Sequence, residues 1–170
     1  MKYSVLLFAL SFLPMLCQAM IRPKYYELQE LKIPGDNPAY FCNNNWDHSL
    51  DTLQINYLNL VPNPPRAGKN LSIETQIAVN TVVEEGSYVL AEVKYGFVRI
   101  VNEKLDLCEQ ADLLAGIKCP VGPSLITKTI EVPLPWAIPP GTYHVNARVF
   151  NANDEQLTCV TASVSFRHFG

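Results

Sequence analysis

The sequence predicts an all-β fold: an immunoglobulin-like sandwich of two sheets, about seven strands in all, with an apolar cavity between them. Three observations lead there. Short segments alternate apolar and polar residues with a period of two, the mark of a strand with one buried face. Proline, glycine and paired polar residues punctuate these segments at regular spacing. No helical heptad, internal repeat or low-complexity tract interrupts the pattern.

The chain has 170 residues. Residues 1–19 read as a secretory signal peptide: Lys2 is a positive start, Val5 to Leu16 is an apolar run, and Cys17-Gln18-Ala19 supplies small residues before a cleavage point. Residues 20–40 are an N-terminal segment or a propeptide. Tyr25 to Leu31 allows one or two helical turns, and Pro23, Pro34, Gly35 and Pro38 forbid anything longer. Residues 41–170 are left as one domain with one core.

Within that domain Leu53, Ile55 and Tyr57 alternate with Gln54 and Asn56, and Pro62-Asn63-Pro64-Pro65 ends the strand. Leu71, Ile73, Thr75, Ile77 and Val79 form the apolar face of the next strand, and Glu84-Glu85-Gly86-Ser87 reverses the chain. A further run carries Val89, Ala91, Val93, Tyr95 and Phe97, and continues through Ile100 and Val101. Asn102 to Gly122 reads as irregular, with a short helix within Leu105 to Ala115. Ile126 to Val132 is a strand. After the turn at Pro139-Pro140-Gly141, Tyr143, Val145, Ala147 and Val149 share one face while His144, Asn146 and Arg148 share the other. Asn151 to Asp154 turns the chain into a last strand, Leu157 to Phe166.

Removal of Cys17 leaves Cys42, Cys108, Cys119 and Cys159, an even number that suggests two disulfides in an oxidising compartment. Sequence allows three pairings. A Cys108–Cys119 bridge closes a short loop, and a Cys42–Cys159 bridge ties the start of the domain to its last hairpin; loop entropy assigns these about 3 and about 5 kcal/mol. There is no C-x-x-C and no histidine near the cysteines, so a metal site is not expected, and neither is any other cofactor. The net charge of −3, with no basic run, argues against a nucleic-acid partner and against constitutive attachment to an anionic membrane. Asn70-Leu71-Ser72 is a glycosylation sequon at a turn-to-strand junction.

No arrangement for bond-making chemistry emerges, and an enzyme is not expected. Asp47, His48 and Ser49 are adjacent, but a triad is assembled in space, and no G-x-S-x-G elbow accompanies them. They read as a polar loop. Glu84 and Glu85 read as a solvated turn beside Gly86, Asp106 and Glu109 as a helix start, and His144 as an exposed strand residue; His168 has no partner. The aromatic residues fill a sandwich core on the plainest reading. Two features favour a pocket instead: proline-rich apolar strand ends, and Trp136, Ala137 and Ile138 in a loop, where exposed apolar residues mark an interaction site.

Several short motifs, in order from about residue 35 to the C-terminus, carry a resemblance. They are Gly35-Asp36-Asn37-Pro38 before Cys42, Val61-Pro62-Asn63-Pro64-Pro65 with Gly68, Val93-Lys94-Tyr95-Gly96, Asp106-Leu107-Cys108-Glu109-Gln110, Lys118-Cys119-Pro120, Ile138-Pro139-Pro140-Gly141-Thr142-Tyr143 and Leu157-Thr158-Cys159. On these the chain resembles the ML (MD-2-related lipid recognition) family. The likeness is to its fungal phosphatidylglycerol/phosphatidylinositol transfer proteins and to the soluble Niemann–Pick type C sterol carrier. The absence of cysteine in Asn43 to Trp46 departs from the animal sterol carrier and favours the fungal branch.

The resemblance implies a secreted or vacuolar/lysosomal carrier, the pairing Cys42–Cys159 with Cys108–Cys119, and lipid transfer without catalysis. The ligand is a phospholipid or a sterol, taken up in transient contact with membrane by a monomer. The expected lipid-lining residues are Leu53, Ile55, Tyr57, Ile73, Ile77, Val93, Tyr95, Phe97, Tyr143, Val145 and Val149, with Ile100, Trp136 and Ile138 near the mouth. One alternative is sterol handover to a membrane sterol transporter of the Niemann–Pick type C kind; another is a recognition or adhesion sandwich with no ligand.

Overall fold

The alternating segments become eight antiparallel strands in two sheets in a computed structural model, which describes residues 31–42 and 47–167. The expected signal peptide, the Tyr25 to Leu31 turns up to residue 30, Asn43 to Trp46 and His168 lie outside the described residues. The strands are β1 (Ala39–Phe41), β2 (Leu53–Val61), β3 (Asn70–Val79), β4 (Tyr88–Tyr95), β5 (Val98–Asp106), β6 (Ser124–Pro133), β7 (Gly141–Phe150) and β8 (Gln156–Phe166). One sheet runs β1-β8-β7-β4-β5 and the other β2-β3-β6. One α-helix among the described residues, α1 (Leu107–Ala115), follows β5, and a 3-10 turn at His48–Leu50 precedes β2.

The apolar face of β3 sets the three-stranded sheet. Ile73 pairs with Ile130 and Leu60, and Ile77 with Ile126 and Ile55. In the larger sheet Val93 pairs with Val145 and Val101, and Val89 with Val149 and Leu105. Opposed residues of an antiparallel pair share a face, so each row is one stripe of the sandwich interior.

Three details differ from the sequence reading. The expected run from Val89 through Val101 is a hairpin: β4 ends at Tyr95, Gly96 and Phe97 form the loop, and Tyr95 pairs with Val98. Gly96 has φ of +57°, the value a tight primed turn requires at its first loop position. Tyr95 and Val98 share a face three residues apart, which shifts the alternation by one, and the extra residue at Ile100 shifts it back, so that Val93 and Val101 again share a face. Second, Asn102 to Asp106, expected to be irregular, belongs to β5. Third, β2 carries a bulge between Ile55 and Tyr57. The extra residue turns Tyr57 onto the face of Gln76 and brings Leu58 and Leu60 inward instead.

Helix α1 is bounded by local chemistry. Asp106 caps its start by accepting from the Glu109 amide at 2.9 Å, and Gly116, at φ of +64°, ends it in the left-handed conformation. Cys108 in its first turn is bonded to Cys119, with Cα atoms 5.7 Å apart.

The two long sides of the sandwich are closed differently. On the β1/β2 side, residues 34–41 bond to both sheets. Leu58 and Leu60 of β2 donate to the carbonyls of Pro34 and Asp36 at 2.9 Å each, and β1 pairs with β8. Ile33 is 0% exposed, and the Asn37 side chain donates to the Leu58 carbonyl at 2.7 Å. The folded unit therefore takes in part of the segment assigned to 20–40. The Cys42–Cys159 disulfide (Cα–Cα 5.4 Å) locks the same side. On the β5/β6 side α1 lies across the gap, and no residue of α1 is fully buried.

Candidate functional site

Burial is greatest at the two ends of β3 and lower between them. Along β3, Leu71 and Val79 are buried, whereas Ile73, Thr75 and Ile77 between them are half-buried. At one end Val79, Val83 and Leu157 form a buried cluster, with Leu53, Leu107, Val121, Ile126 and Val149 against it. At the other end Tyr95 and Tyr143 meet at a tilt of 46° with ring centroids 5.0 Å apart, and Phe166 meets Tyr143 edge-on at 5.4 Å. Their hydroxyls donate to the carbonyls of Pro140 and Pro139, each at 2.9 Å, and so pin the proline turn over that end. Burial, with the neighbouring Tyr95, raises the Tyr143 hydroxyl above its ordinary pKa.

Two apolar recesses lie between α1 and the three-stranded sheet. One, of about 120 Å³, is bounded by Leu53, Ile77, Val83, Leu107, Val121 and Ile126, among others. The second, of about 220 Å³, lies under Ala111, Leu114 and Ile117 and reaches Ile130, with the aliphatic parts of Gln110, Lys128 and Thr75 completing an apolar lining. Ile77, Leu107, Ala111, Ile117 and Ile126 line both. The sequence reading missed the helical side of this site. Leu107, Ala111 and Leu114 stand at i, i+4 and i+7, the stripe of an amphipathic helix, and that period was the available signal.

Of the residues expected to line a pocket, the structure brings Leu53 and Ile77 to the recesses. Ile55 and Ile73 share the inner face of that sheet, and Val93, Tyr95, Tyr143, Val145 and Val149 share the inner face of the other. Five of the expected residues stand elsewhere. Tyr57 points to the outer face because of the bulge. Phe97 occupies the hairpin loop and is 106% exposed, so it lines nothing. Ile100 sits at the β5 irregularity on an exposed edge. Val149 packs against the Val79, Val83 and Leu157 cluster, and Tyr143 belongs to the aromatic end under the proline turn.

Trp136 (86% exposed) and Ile138 border a separate concavity of about 380 Å³ with Ala67 and Arg167. It shares no lining residue with the two recesses. Phe97 lies at the same end of the sandwich as Trp136, since β4 ends where β7 begins.

The polar loop after Cys42 is structural. His48 faces the Cys42 carbonyl with Nε2 at 2.9 Å and the Asp51 carboxylate with Nδ1 at 3.0 Å, and its ring stacks on Phe41 at 4.7 Å. Both ring nitrogens are thus occupied by acceptors, which leaves neither for a nucleophile. Ser49 contributes its amide to the Asp47 side chain at 2.9 Å. His144 bonds Ser163 on the exposed face at 2.9 Å. Among the described residues there is no group of three or more His, Cys, Asp or Glu side chains arranged to hold a metal, and no helix long and apolar enough to cross a membrane.

Residues 36–166 match the family model described as the ML domain. A phosphatidylglycerol/phosphatidylinositol transfer protein of Schizosaccharomyces pombe is 62% identical over 139 residues, covering 82% of this chain and 73% of that protein. A protein of the same name from Aspergillus oryzae is 45% identical over 136 residues, covering 80% and 75%. Among solved structures, chicken MD-1 complexed with lipid IVa matches with a TM-score of 0.48 and 14% identity, covering 75% of this chain and 86% of that one.

Proposed function

The chain belongs to the ML-domain family, and on that premise we propose that it binds phosphatidylinositol or phosphatidylglycerol in its apolar interior and carries it between membranes. One observation of the fold carries the reading: a β3 strand buried at both ends and half-buried along Ile73, Thr75 and Ile77, beside recesses lined almost wholly by apolar side chains. Water left against such a surface costs about 25 cal/mol per Å² of apolar area, and a lipid chain in its place recovers that cost. The lipid is moved, not changed.

Each recess is smaller than the few hundred Å³ that ligand sites commonly occupy. Loading therefore needs α1 to shift, and a helix with no fully buried residue is the part of this fold that yields most easily. Membrane approach falls to the end bearing Phe97, Val98 and Trp136, all strongly exposed. Lys94 and Arg99 flank that tip and share the single carboxylate of Glu92, at 2.7 and 2.8 Å, leaving a positive excess toward anionic headgroups. The two disulfides suit an oxidising lumen of the secretory pathway, and Asn70, exposed at the start of β3, is open to glycosylation there.

The test is transfer of labelled phosphatidylinositol between vesicles, with a sterol as competitor. Acceleration over the protein-free rate supports the reading. Displacement by sterol at equal concentration makes the protein a sterol carrier instead, and a protein that takes up no lipid is a sandwich without a ligand.

A further inference from the structure

The inner face of β6 reads Ile126, Lys128, Ile130, Val132, so a lysine stands in the apolar row. Its orientation follows from the register: Lys128 pairs with Thr75, between the Ile77–Ile126 and Ile73–Ile130 pairs. It borders the 220 Å³ recess together with Gln110 and Leu114. No carboxylate among the described residues is paired with it. The acidic residues of α1, Glu109 and Asp112, do not border the recess, and the other charged residue on an inner row of the sandwich is Glu103 on β5. A lysine in this position lays its methylenes along apolar surface and keeps its ammonium at the rim.

An apolar trough with one unpaired cation at its lip is the complement of an amphipathic anion. We propose that Lys128 is the headgroup site: its ammonium takes the phosphodiester of an anionic phospholipid whose acyl chain lies under α1, and Gln110 supplies a neutral hydrogen-bonding neighbour. This assignment rests on the lipid-carrier reading and adds to it the residue that selects anionic phospholipid over neutral lipid. β6 is an edge strand, and an inward charge on an edge also discourages pairing with a second sheet. The two roles differ in sign dependence. Edge protection accepts a charge of either sign, and phosphate binding accepts only a cation.

The experiment measures uptake of phosphatidylinositol, phosphatidylglycerol, phosphatidylcholine and sterol from vesicles by wild type, Lys128→Arg, Lys128→Gln and Lys128→Glu, with folding checked by circular dichroism. Expected is a loss of about tenfold in affinity for the two anionic lipids in Lys128→Gln, a larger loss in Lys128→Glu, and retention in Lys128→Arg. Phosphatidylcholine and sterol uptake should stay within about twofold of wild type, the spread expected where no charged hydrogen bond is lost. Soluble inositol phosphate, lacking a chain, should not compete. Equal anionic-lipid uptake by Lys128→Glu and wild type overturns the assignment in favour of edge protection, and so does a uniform loss across all four lipids. Wild type that takes up no lipid overturns the carrier reading itself and this assignment with it.

Discussion

The hydroxyl of Thr158 donates to the carboxylate of Asp51 at 2.9 Å, although 107 residues separate them in the chain. Asp51 is 1% exposed and also faces His48 Nδ1 at 3.0 Å. This buried cluster, next to the Cys42–Cys159 bridge, fastens the loop before β2 to β8 and closes the β1/β2 side of the sandwich. Removal of one partner leaves a buried polar group unsatisfied. Asp51→Ala should cost about 2–4 kcal/mol and Thr158→Val about 1–2 kcal/mol. Urea unfolding of the two variants and of the double variant measures the coupling, and additive effects would show that the bond contributes nothing.

The segment ahead of β1 is part of the fold, so its removal should be costly. A chain beginning at Phe41 loses Ile33, the Asn37 bonds to β2 and most of β1. Ile33→Ala alone should cost about 2–5 kcal/mol. Gly35→Ala should be comparably harmful: its φ is +107°, and an added Cβ would lie 2.3 Å from the Leu58 carbonyl oxygen, a backbone atom in a paired strand. Thermal melting of both variants is the check, and an unchanged midpoint in either would remove this segment from the folded unit.

Blocking the recess should separate carriage from folding. Ala111 lines both recesses from the half-buried face of α1, and Ala111→Phe puts a ring into that space. Lipid uptake should fall by about tenfold or more while the melting temperature stays close to wild type, because α1 carries no buried residue that must move. Val149→Asp, a natural choice from the strand pattern, is a poor probe: Val149 packs against the Val79, Val83 and Leu157 cluster, so a charge there should unfold the protein.

Phe97 and Trp136 are exposed, so replacing both by serine should leave stability within about 0.5 kcal/mol of wild type. Vesicle co-sedimentation and transfer rate should both drop. Equal membrane binding by wild type and double variant would move the docking surface elsewhere.

Glu92 gives a pH-dependent signature. The Lys94 hydrogen bond, with Arg99 beside it, holds its carboxyl below the usual carboxylate range, against a smaller desolvation effect. A folded-state value below the unfolded one stabilises fully above the unfolded value, about 4.3, and the contribution is lost as pH falls through the folded value. The difference in melting temperature between wild type and Glu92→Gln should therefore be present at neutral pH and fade as acidification carries the pH from the unfolded value down through the folded one. A difference that grows on acidification would reverse the assignment.

The sequence by itself determined the strands and the inner faces of most of them, because a period of two is written into the order of residues such as Ile73, Thr75 and Ile77 and needs no partner to be read. Cysteine number restricted the disulfides to three pairings, and the motif order pointed to the family. What only the tertiary structure decided depends on registration between distant segments. The Gly96-Phe97 reversal was hidden because the one-residue phase shift of its two-residue loop is cancelled by the extra residue at Ile100, so that Val93 and Val101 keep one parity. The Asn56 bulge, which turns Tyr57 outward and Leu58 inward, exists only relative to β3. Lys128 stands in the even-numbered row of Ile126, Ile130 and Val132 already in the sequence, but only packing puts that row at the edge of a recess whose other wall is a helix. Local pattern says which residues prefer burial. Pairing and packing decide which of them meet, and so where the interior stays open.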